Sequence, residues 1–452
     1  MAESGDWIVP KLMGQPHLTK PPLTYWLTAL ALRAFGTNAW AVRLPTALAF
    51  LVTVLVTADL GRRLWNPAAG FWAGAALLTC ALPLAASGIL TTDTLLSLFE
   101  TGAVWCAWRS VTHSVPAQGR WWALGFHLAL GLAFLTKGPP GLLTAAALLP
   151  FALRHRRSCS FLRLLHPGGL AVFFFLAVPW YVAVAFSLPS TLGAWWKTEL
   201  VGRVFGESHR NMPASLYFPI LLGGALPIGF FLPWALRLFI REIRERGPGA
   251  LPAELLLCWI TIPLSVLCAA KSRLPLYLLP LFPPLALMLG FWLAKRLEPR
   301  ASIPRWAMAA VVVMGTLLAT GRSVAGRVPG ILMPDPRPIA RSILDDGGTT
   351  DKAREVFLTS SFSRVPACGL AFYLRQPVER VELNPAGGNP GHGPRFRSLH
   401  EVLEEPPGPG RAQYFAVRPE NACTFEAAEQ GLCSGRWILR EGGLWIWRRG
   451  EP

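Results

Sequence analysis

Residues 16–26 have the sequence PHLTKPPLTYW, which places Lys20 and two prolines directly before an apolar stretch rich in aromatic side chains. Proline suits the first turn of a helix, where a backbone N–H group has no intrahelical partner. The pattern therefore predicts a helix over Leu23–Phe35. Lys20 at its N-terminal end has two interpretations: it anchors the helix at the level of the lipid headgroups, or it is a fixed cation for an anion such as a lipid phosphate.

The composition is that of a membrane protein with several spans. Of the 452 residues, 52% are hydrophobic and only 15% are charged, and the formal net charge is +17. Apolar runs near the length needed to cross a bilayer recur along the first two-thirds of the chain. Basic residues cluster between these runs, which is typical of a membrane protein and argues against a nucleic-acid partner.

The apolar runs predict about ten transmembrane helices. Their approximate bounds are Val42–Leu60, Phe71–Leu90, Leu95–Ser110, Trp121–Leu135, Gly141–Leu153, Gly169–Phe186, Tyr217–Leu236, Leu255–Ala270, Leu274–Leu293 and Trp306–Thr320. With these spans every arginine cluster falls on one side of the membrane, which the positive-inside rule makes cytoplasmic. The helix over Leu23–Phe35 is expected to lie along the outer interface, since a further span there would invert every basic loop.

Three regions follow from this pattern. Residues 1–41 are predicted to be a periplasmic interfacial segment, residues 42–321 a transmembrane domain and residues 322–452 a small α/β domain outside the membrane. In the last region proline, glycine and charge increase, and short apolar runs predict one helix and several strands. The helix is expected around Ala340–Leu344, and the strands at Glu355–Leu358, Val381–Leu383, Tyr414–Val417, Trp437–Leu439 and Leu444–Trp447.

Two charged residues lie at the outer ends of predicted spans. Asp93 has the residue type and position either to cap the third span or to act as a catalytic carboxylate. Lys137, followed by Gly138-Pro139-Pro140, is more simply an interfacial anchor, and its alternative is a supporting role in a functional site. At either position, an ionisable side chain at membrane depth indicates a candidate functional residue.

A set of cations on the predicted outer loops could bind a phosphate. Arg203 lies in the long loop 187–215, and Lys271, Arg273 and Tyr277 surround a helix start that contains Pro275. The arginine fork can make two parallel hydrogen bonds to a phosphate group. Solvated loop charge remains the alternative for Arg203, and interfacial anchoring remains the alternative for the other three.

Evidence for a metal or a disulfide is weak. His17 and His209 are the candidate metal ligands. Two separate histidines are a weak signal, however, and the simpler interpretation is that both are solvated loop residues. The apolar surroundings of Cys80, Cys106, Cys258 and Cys268 indicate packing as small hydrophobes, whereas Cys423 and Cys433 could pair outside the cytoplasm. No glycine-rich nucleotide loop or Ser–His–Asp signature is present in the sequence.

Several separate motifs together resemble one family. They are the run Glu3-Ser4-Gly5-Asp6-Trp7-Ile8-Val9-Pro10, Lys20-Pro21-Pro22-Leu23, Arg43-Leu44-Pro45, Asp93, Leu135-Thr136-Lys137-Gly138-Pro139, Pro179-Trp180-Tyr181 and residues 272–280. In this order they resemble the glycosyltransferases of the aminoarabinose-transferase and protein-mannosyltransferase type, which have the GT-C fold. The resemblance covers nearly all of the membrane part of the chain.

This resemblance implies an all-α membrane glycosyltransferase with a periplasmic active site in a bacterial inner membrane. A polyprenyl-phosphate sugar would be the donor, and a lipid, as in lipid A modification, or a protein would be the acceptor. Lys20, Arg203 and Tyr277 match family positions expected at the donor phosphate. Asp93 matches the second acidic motif and is the catalytic carboxylate predicted here.

Two departures from the family pattern affect the prediction. Thr19 stands where the family has glutamate before Lys-Pro-Pro, which puts a possible divalent metal in doubt. The family also has a span and an acidic Asp/Glu-Arg-Tyr motif ahead of the run that begins here at Glu3. We therefore expect a longer form with roughly 60–80 further residues before Met1, enough for one span and an interfacial helix.

Two rival functions share these features. A transporter or lipid flippase would also have many spans and intramembrane charges, but the paired, interrupted halves common in transporters are not evident. An inactive, truncated relative that serves as a binding partner is the second alternative. Glycosyl transfer from a lipid-linked sugar is the predicted function, with membrane lipids as the surrounding partners.

Overall fold

The computed structural model describes a nearly continuous membrane part and separate segments of the C-terminal part. The described residues are 1–2, 4–12, 15–155, 161–189, 193, 212–297, 313, 316, 320, 336–346, 354–359, 370–374, 378–382, 397–404, 412–417, 425, 435–441 and 444–449. The chain divides into two compact units: Met1–Lys11 with Pro16–Thr320, and Leu12–Gln15 with Gly321–Pro452.

The described residues up to position 320 are helical apart from loops and two short strands, β1 (Lys11–Leu12) and β2 (Gln15–Pro16). The helices are α1 Leu23–Phe35, α2 Ala39–Leu64, α3 Pro67–Thr79, α4 Ala81–Ala86, α5 Thr92–Thr112, α6 Pro116–Lys137, α7 Leu143–Arg154, α8 Pro167–Ala177, α9 Pro179–Ser187, α10 Tyr217–Gly224, α11 Leu232–Arg244, α12 Ala250–Ala269 and α13 Phe282–Leu297. Helical turns of the 3₁₀ type cover Pro139–Leu142, Phe161–Leu165, Ala214–Leu216, Ile228–Phe231 and Pro275–Leu281.

Local sequence sets several of these boundaries. The side chain of Asn38 accepts a hydrogen bond from the Ala41 amide and caps α2, and Asn66 caps α3 in the same way through Ala69. Glycine with positive φ follows α1 at Gly36 (φ 79°) and α6 at Gly138 (φ 74°), a conformation that costs other residues more. The predicted helix Leu23–Phe35 is confirmed as α1.

Within the described residues, four helical stretches are long and apolar enough to cross a membrane, or five if one strongly bent pair counts as a single span. The four are Ala39–Leu64, Pro167–Ser187, Ala250–Ala269 and Pro275–Leu297. The predicted count of about ten therefore stays a prediction. The predicted span Trp306–Thr320 lies outside the described residues except for helical positions at 313, 316 and 320.

Two predicted spans are not continuous helices. The span Phe71–Leu90 is divided into α3 and α4, because Cys80 between them has an extended backbone. The span Tyr217–Leu236 is broken before α11, and the helical stretches on either side are bent by 112°. Pro227 has no backbone N–H group to donate within a helix, which accounts for the break.

Helix α13 forms the centre of the bundle and packs against α3 through glycine. A Cβ atom on Gly290 would lie 2.5 Å from the Ala73 amide nitrogen and 2.6 Å from the Ala69 carbonyl oxygen. Real Cβ atoms do not approach a backbone so closely, so the two helices are in contact because position 290 has no side chain.

We expect Gly290→Ala to destabilise the first unit by about 1–3 kcal/mol, the usual range for overpacking a rigid core. Gly102→Ala in α5 is the matched control, since its added Cβ would meet only the Ala129 side chain at 4.0 Å. The control should be neutral or stabilising by up to about 1 kcal/mol through helix propensity. Thermal unfolding of both variants in detergent measures the difference, and equal midpoints would contradict the close packing.

Basic residues from different helices meet at one end of the bundle. Asp59 near the end of α2 accepts hydrogen bonds from Arg62, Arg63 and the Trp105 indole of α5. Glu254 at the start of α12 binds Arg154 and His155, which follow each other at the end of α7. Each carboxylate therefore joins a basic helix end to a neighbouring helix, α2 to α5 and α7 to α12.

The second unit contains a six-stranded sheet, in agreement with the predicted α/β domain. Its strands are β3 Arg354–Thr359, β4 Val378–Glu382, β5 Arg397–Ser398, β6 Ala412–Val417, β7 Gly435–Glu441 and β8 Leu444–Arg449, in the order β5-β4-β3-β6-β8-β7. Strands β5, β4, β3 and β6 are parallel, and β8 runs antiparallel to β6 and β7.

Alternating side chains cover both faces of this sheet. Tyr414 and Ala416 of β6 face a core that includes Ile343 of helix α14 (Pro336–Asp345). Phe415 and Val417 face the opposite core with residues of helix α15 (Leu399–Glu404), which the sequence did not predict. The period of two along a doubly buried strand explains the division.

Candidate functional site

An ion pair between Asp93 and Lys137 lies buried at the opposite end of α5 and α6 from the arginine clusters. The Lys137 ammonium group donates a hydrogen bond to Asp93 Oδ1, and each side chain is only 7% exposed. Removing two charges from water is expensive, so such a pair persists where geometry is favourable and where function requires the charge.

The fold brings the two residues together because α5 and α6 are neighbouring antiparallel helices. Asp93 lies in the first turn of α5, and Lys137 is the last residue of α6. Thr91, not Asp93, caps α5: its hydroxyl accepts from the Asp93 amide at 3.3 Å and donates to Asp93 Oδ2 at 2.9 Å. Both carboxylate oxygens of Asp93 are therefore engaged.

Tyr277 covers the lysine from a third element. The ammonium nitrogen of Lys137 lies 4.0 Å from the centroid of the Tyr277 ring, within range of a cation–π interaction. Tyr277 belongs to the 3₁₀ turn Pro275–Leu281, which Ser97 of α5 holds through a hydrogen bond to the Leu279 carbonyl at 3.4 Å. The interfacial-anchor interpretation of Lys137 is therefore wrong, because the side chain points into the protein.

Glu100 is a second buried acid on α5, and it is not among the site residues predicted from the sequence. It is 2% exposed and interacts electrostatically with Lys137 and Asp93. In the part of the chain that the structure describes, its Oε1 atom has no hydrogen-bond partner. An acid inside the predicted span Leu95–Ser110 was the available signal, because ionisable residues at membrane depth are rare.

The segment that contains Lys20 packs at this same end of the bundle. Leu18 and Leu23, on either side of the lysine, belong to one buried cluster with Leu135 of α6 and Trp180 of α9. Leu135 is two residues before Lys137, so the cluster places the Lys20 segment beside the last turn of α6. Lys20 itself is half-buried.

Two tryptophans attach the N-terminal segment to this region. The indole of Trp26 donates to the Trp7 carbonyl at 2.7 Å, and that of Trp180 donates to the Ile8 carbonyl at 2.8 Å. Asp6 closes the turn by accepting from the Ile8 and Val9 amides, and the hydrogen bond from Val9 lowers the pKa of its carboxyl group. Residues 4–10 are thus tied to α1 and α9.

We expect Trp26→Phe and Trp180→Phe each to weaken this attachment by about 1 kcal/mol, because each removes a hydrogen bond and retains an aromatic ring. Hydrogen exchange of the amides in residues 4–10 should become roughly fivefold faster. Trp40→Phe is the control, since that ring is 56% exposed and makes no hydrogen bond to the segment among the described residues. An unchanged exchange rate in both variants would contradict the assigned contacts.

The remaining predicted phosphate ligands are placed differently. Arg273 donates to the carbonyl oxygens of Cys268 and Met212 at 3.0 Å, so it holds the backbone before the 3₁₀ turn. Lys271 is exposed. Arg203 and His209 lie outside the described residues, as do Cys423 and Cys433, and their roles stay predictions.

The described residues do not assemble a metal site. No group of three or more His, Cys, Asp or Glu side chains with metal-binding geometry occurs among them. His17 forms a hydrogen bond with the Thr19 hydroxyl at 3.0 Å, and Thr19 replaces the acid of the family pattern. Within the described ranges, these side chains therefore do not fit a divalent cation.

Relatives of known sequence share the membrane part of the chain. The family model for dolichyl-phosphate-mannose-protein mannosyltransferases matches residues 19–182. The undecaprenyl phosphate-alpha-4-amino-4-deoxy-L-arabinose arabinosyl transferase of Erwinia tasmaniensis is 31% identical over 296 residues, which are 64% of this chain and 52% of that protein. Its counterpart in Pseudomonas aeruginosa is 33% identical over 310 residues, or 66% and 54%. The chain thus spans about half the length of the curated relatives that it matches.

Solved structures share the fold. The structure of ArnT from Cupriavidus metallidurans bound to undecaprenyl phosphate superposes with a TM-score of 0.76 at 20% identity, covering 99% of this chain and 91% of that one. The archaeal oligosaccharyltransferase AglB from Archaeoglobus fulgidus, with an inhibitory peptide and a dolichol-phosphate, gives a TM-score of 0.53 at 12% identity and coverage of 95% and 66%.

Proposed function

We propose that this chain, which is similar to the GT-C glycosyltransferases of the aminoarabinose-transferase and protein-mannosyltransferase type, transfers a sugar from a polyprenyl-phosphate carrier to a lipid or protein acceptor at the periplasmic face of a bacterial inner membrane. The buried Lys137, held by Asp93 and covered by Tyr277, is the observation that carries this proposal.

Lys20 and Lys137 bind the donor phosphate in this account. The bond between the anomeric carbon of the sugar and the phosphate oxygen breaks, and the phosphate leaves with the electron pair. Negative charge grows on that oxygen in the transition state, and cations fixed beside it stabilise it. Since Lys137 is held before the substrate arrives, little free energy is lost in reorganising it.

Asp93 acts through Lys137 in this proposal. Both of its oxygens are already engaged, one by Lys137 and the other by Thr91, so the geometry favours a positioning role over direct proton transfer from the acceptor. The acceptor forms the new bond to the anomeric carbon and releases its proton to the solvent. The sugar configuration is expected to invert, as a single displacement requires.

The relatives indicate the first donor to test. Those matched here are named as transferases of 4-amino-4-deoxy-L-arabinose from undecaprenyl phosphate, so this sugar is the leading candidate. None of these names supports a transporter or flippase. Measured turnover of the donor distinguishes an active transferase from an inactive binding partner.

Membranes that contain the chain should be incubated with a panel of polyprenyl-phosphate sugars, and the released polyprenyl phosphate and the modified acceptor should be measured. One donor is expected to give both products in equal amounts, and Lys137→Met membranes provide the background. Binding of every donor without release would favour the inactive relative. Movement of an intact donor across the bilayer without release would favour a flippase.

A further inference from the structure

A groove of about 480 Å³ opens between α11 and α13 at the end of the bundle where the basic clusters meet. It is lined from α11 by Trp234, Arg237, Leu238 and Arg241, and from α13 by Trp292, Lys295 and Arg296. The lining thus combines four cations with two indole rings. None of these residues belongs to the candidate transferase site.

Helical spacing explains how the sequence builds the groove. The α11 residues follow one another at intervals of three, one and three positions, and the α13 residues at three and one, so each set occupies one helix face. The opposite face of α11 is buried through Leu232, Ala235, Phe239 and Glu242. Helix α11 is therefore amphipathic, with a buried apolar face and a basic face that lines the groove.

Stacked aromatic rings form the apolar side of the groove. Phe231 stacks on Trp292 with ring centroids 5.1 Å apart, and Phe230 lies 5.5 Å from Trp234. Trp234 is 41% exposed. Tryptophan favours the level of the lipid headgroups, because its ring is apolar and its N–H group is polar.

The cations exceed the carboxylates that face them. Lys295 lies 3.4 Å from Glu242, and Arg241 lies 3.8 Å from Glu245. Arg237 and Arg296 are exposed and have no carboxylate within 4.0 Å among the described residues. The guanidinium carbon of Arg296 is 5.9 Å from the centre of the Trp292 ring, which orients it beside the aromatic side.

We propose that this groove binds the headgroup of an anionic membrane phospholipid. The phosphate lies between Arg237 and Arg296, whose planar forks suit phosphate oxygens, and the glycerol and upper acyl chains lie on Trp234 and Trp292. Basic pockets between membrane helices, on the side marked by arginine clusters, have the charge and position to select anionic over zwitterionic headgroups. The site is independent of sugar transfer.

The test compares lipid binding to the full chain in detergent micelles. Phosphatidylglycerol, phosphatidylcholine and inorganic phosphate are titrated, and bound lipid is counted by native mass spectrometry. Phosphatidylglycerol should bind saturably. The groove variant Arg237→Gln/Arg296→Gln should bind phosphatidylglycerol about 10- to 30-fold more weakly. Each basic residue near an anionic lipid contributes roughly a several-fold increase in affinity, and the variant lacks two of them.

The control variant Arg62→Gln/Arg120→Gln removes the same charge from exposed positions outside the groove, and it should bind phosphatidylglycerol within about twofold of the parent. Trp234→Ala, which changes no charge, should also weaken binding. Equal losses in the groove and control variants would overturn the proposal in favour of general surface attraction. Equal affinity for phosphatidylcholine, or displacement by millimolar inorganic phosphate, would overturn it as well.

Discussion

Replacing Lys137 with methionine is expected to lower sugar transfer by about 10²–10³-fold, the loss that follows removal of one preorganised charge from a transition-state site. Methionine fills a similar volume but has no charge. The variant should also lose about 3–5 kcal/mol of unfolding free energy, because Asp93 is then left buried without its partner. Turnover with the active donor and unfolding in detergent are the two measurements.

A second substitution separates activity from stability. In Asp93→Asn/Lys137→Met the orphaned carboxylate is also removed, so most of the stability should return. Transfer should remain low, because the cation that faces the phosphate is still missing. Recovery of transfer together with stability would show that the pair only holds α5 against α6, and would contradict a catalytic role for Lys137.

Replacing Lys20 with alanine is expected to raise the donor KM by about 10- to 100-fold, the value of a hydrogen bond to a charged group. Lys20 is half-buried beside the cluster that contains Leu135, which fixes it near the end of α6. Its contribution should be largest for the intact donor and should fall for a donor analogue without the phosphate.

Lys11→Ala is the matched control for this prediction. Lys11 lies in the same N-terminal segment, is exposed, and faces Asp6 at 3.8 Å. Its loss removes the same charge and should change the donor KM by no more than about twofold. If both substitutions change KM equally, the effect of Lys20 is general attraction to the membrane surface, and the phosphate assignment fails.

Much of the fold follows from the sequence because its signals are local. The double proline at 21–22 and the glycine at 36 delimit α1, and alternation within residues 412–417 marks a buried strand. The breaks in two predicted spans were harder to predict, because Cys80 and residues 225–231 interrupt runs that remain apolar throughout. Hydropathy averages over such interruptions.

The site was predictable in its residues but not in its pairing. Lys137 and Asp93 were both predicted to lie at span ends. Nothing in the local sequence shows that the end of α6, which carries Lys137, lies beside the start of α5, which carries Asp93. Arg273 resembled a phosphate ligand, and only the fold shows that backbone carbonyls engage its guanidinium group. Glu100 is an acid within an apolar run, and this local pattern marks it as a candidate site residue.

The central claim is that Lys20 and Lys137 contact the same donor phosphate. A double-mutant cycle with Lys20→Ala, Lys137→Met and the combined variant, measured as binding of undecaprenyl phosphate, tests it directly. Residues that share one ligand group are coupled, so we predict an interaction energy of about 0.5–3 kcal/mol. Strictly additive losses, or no loss in either single variant, would contradict a shared phosphate site.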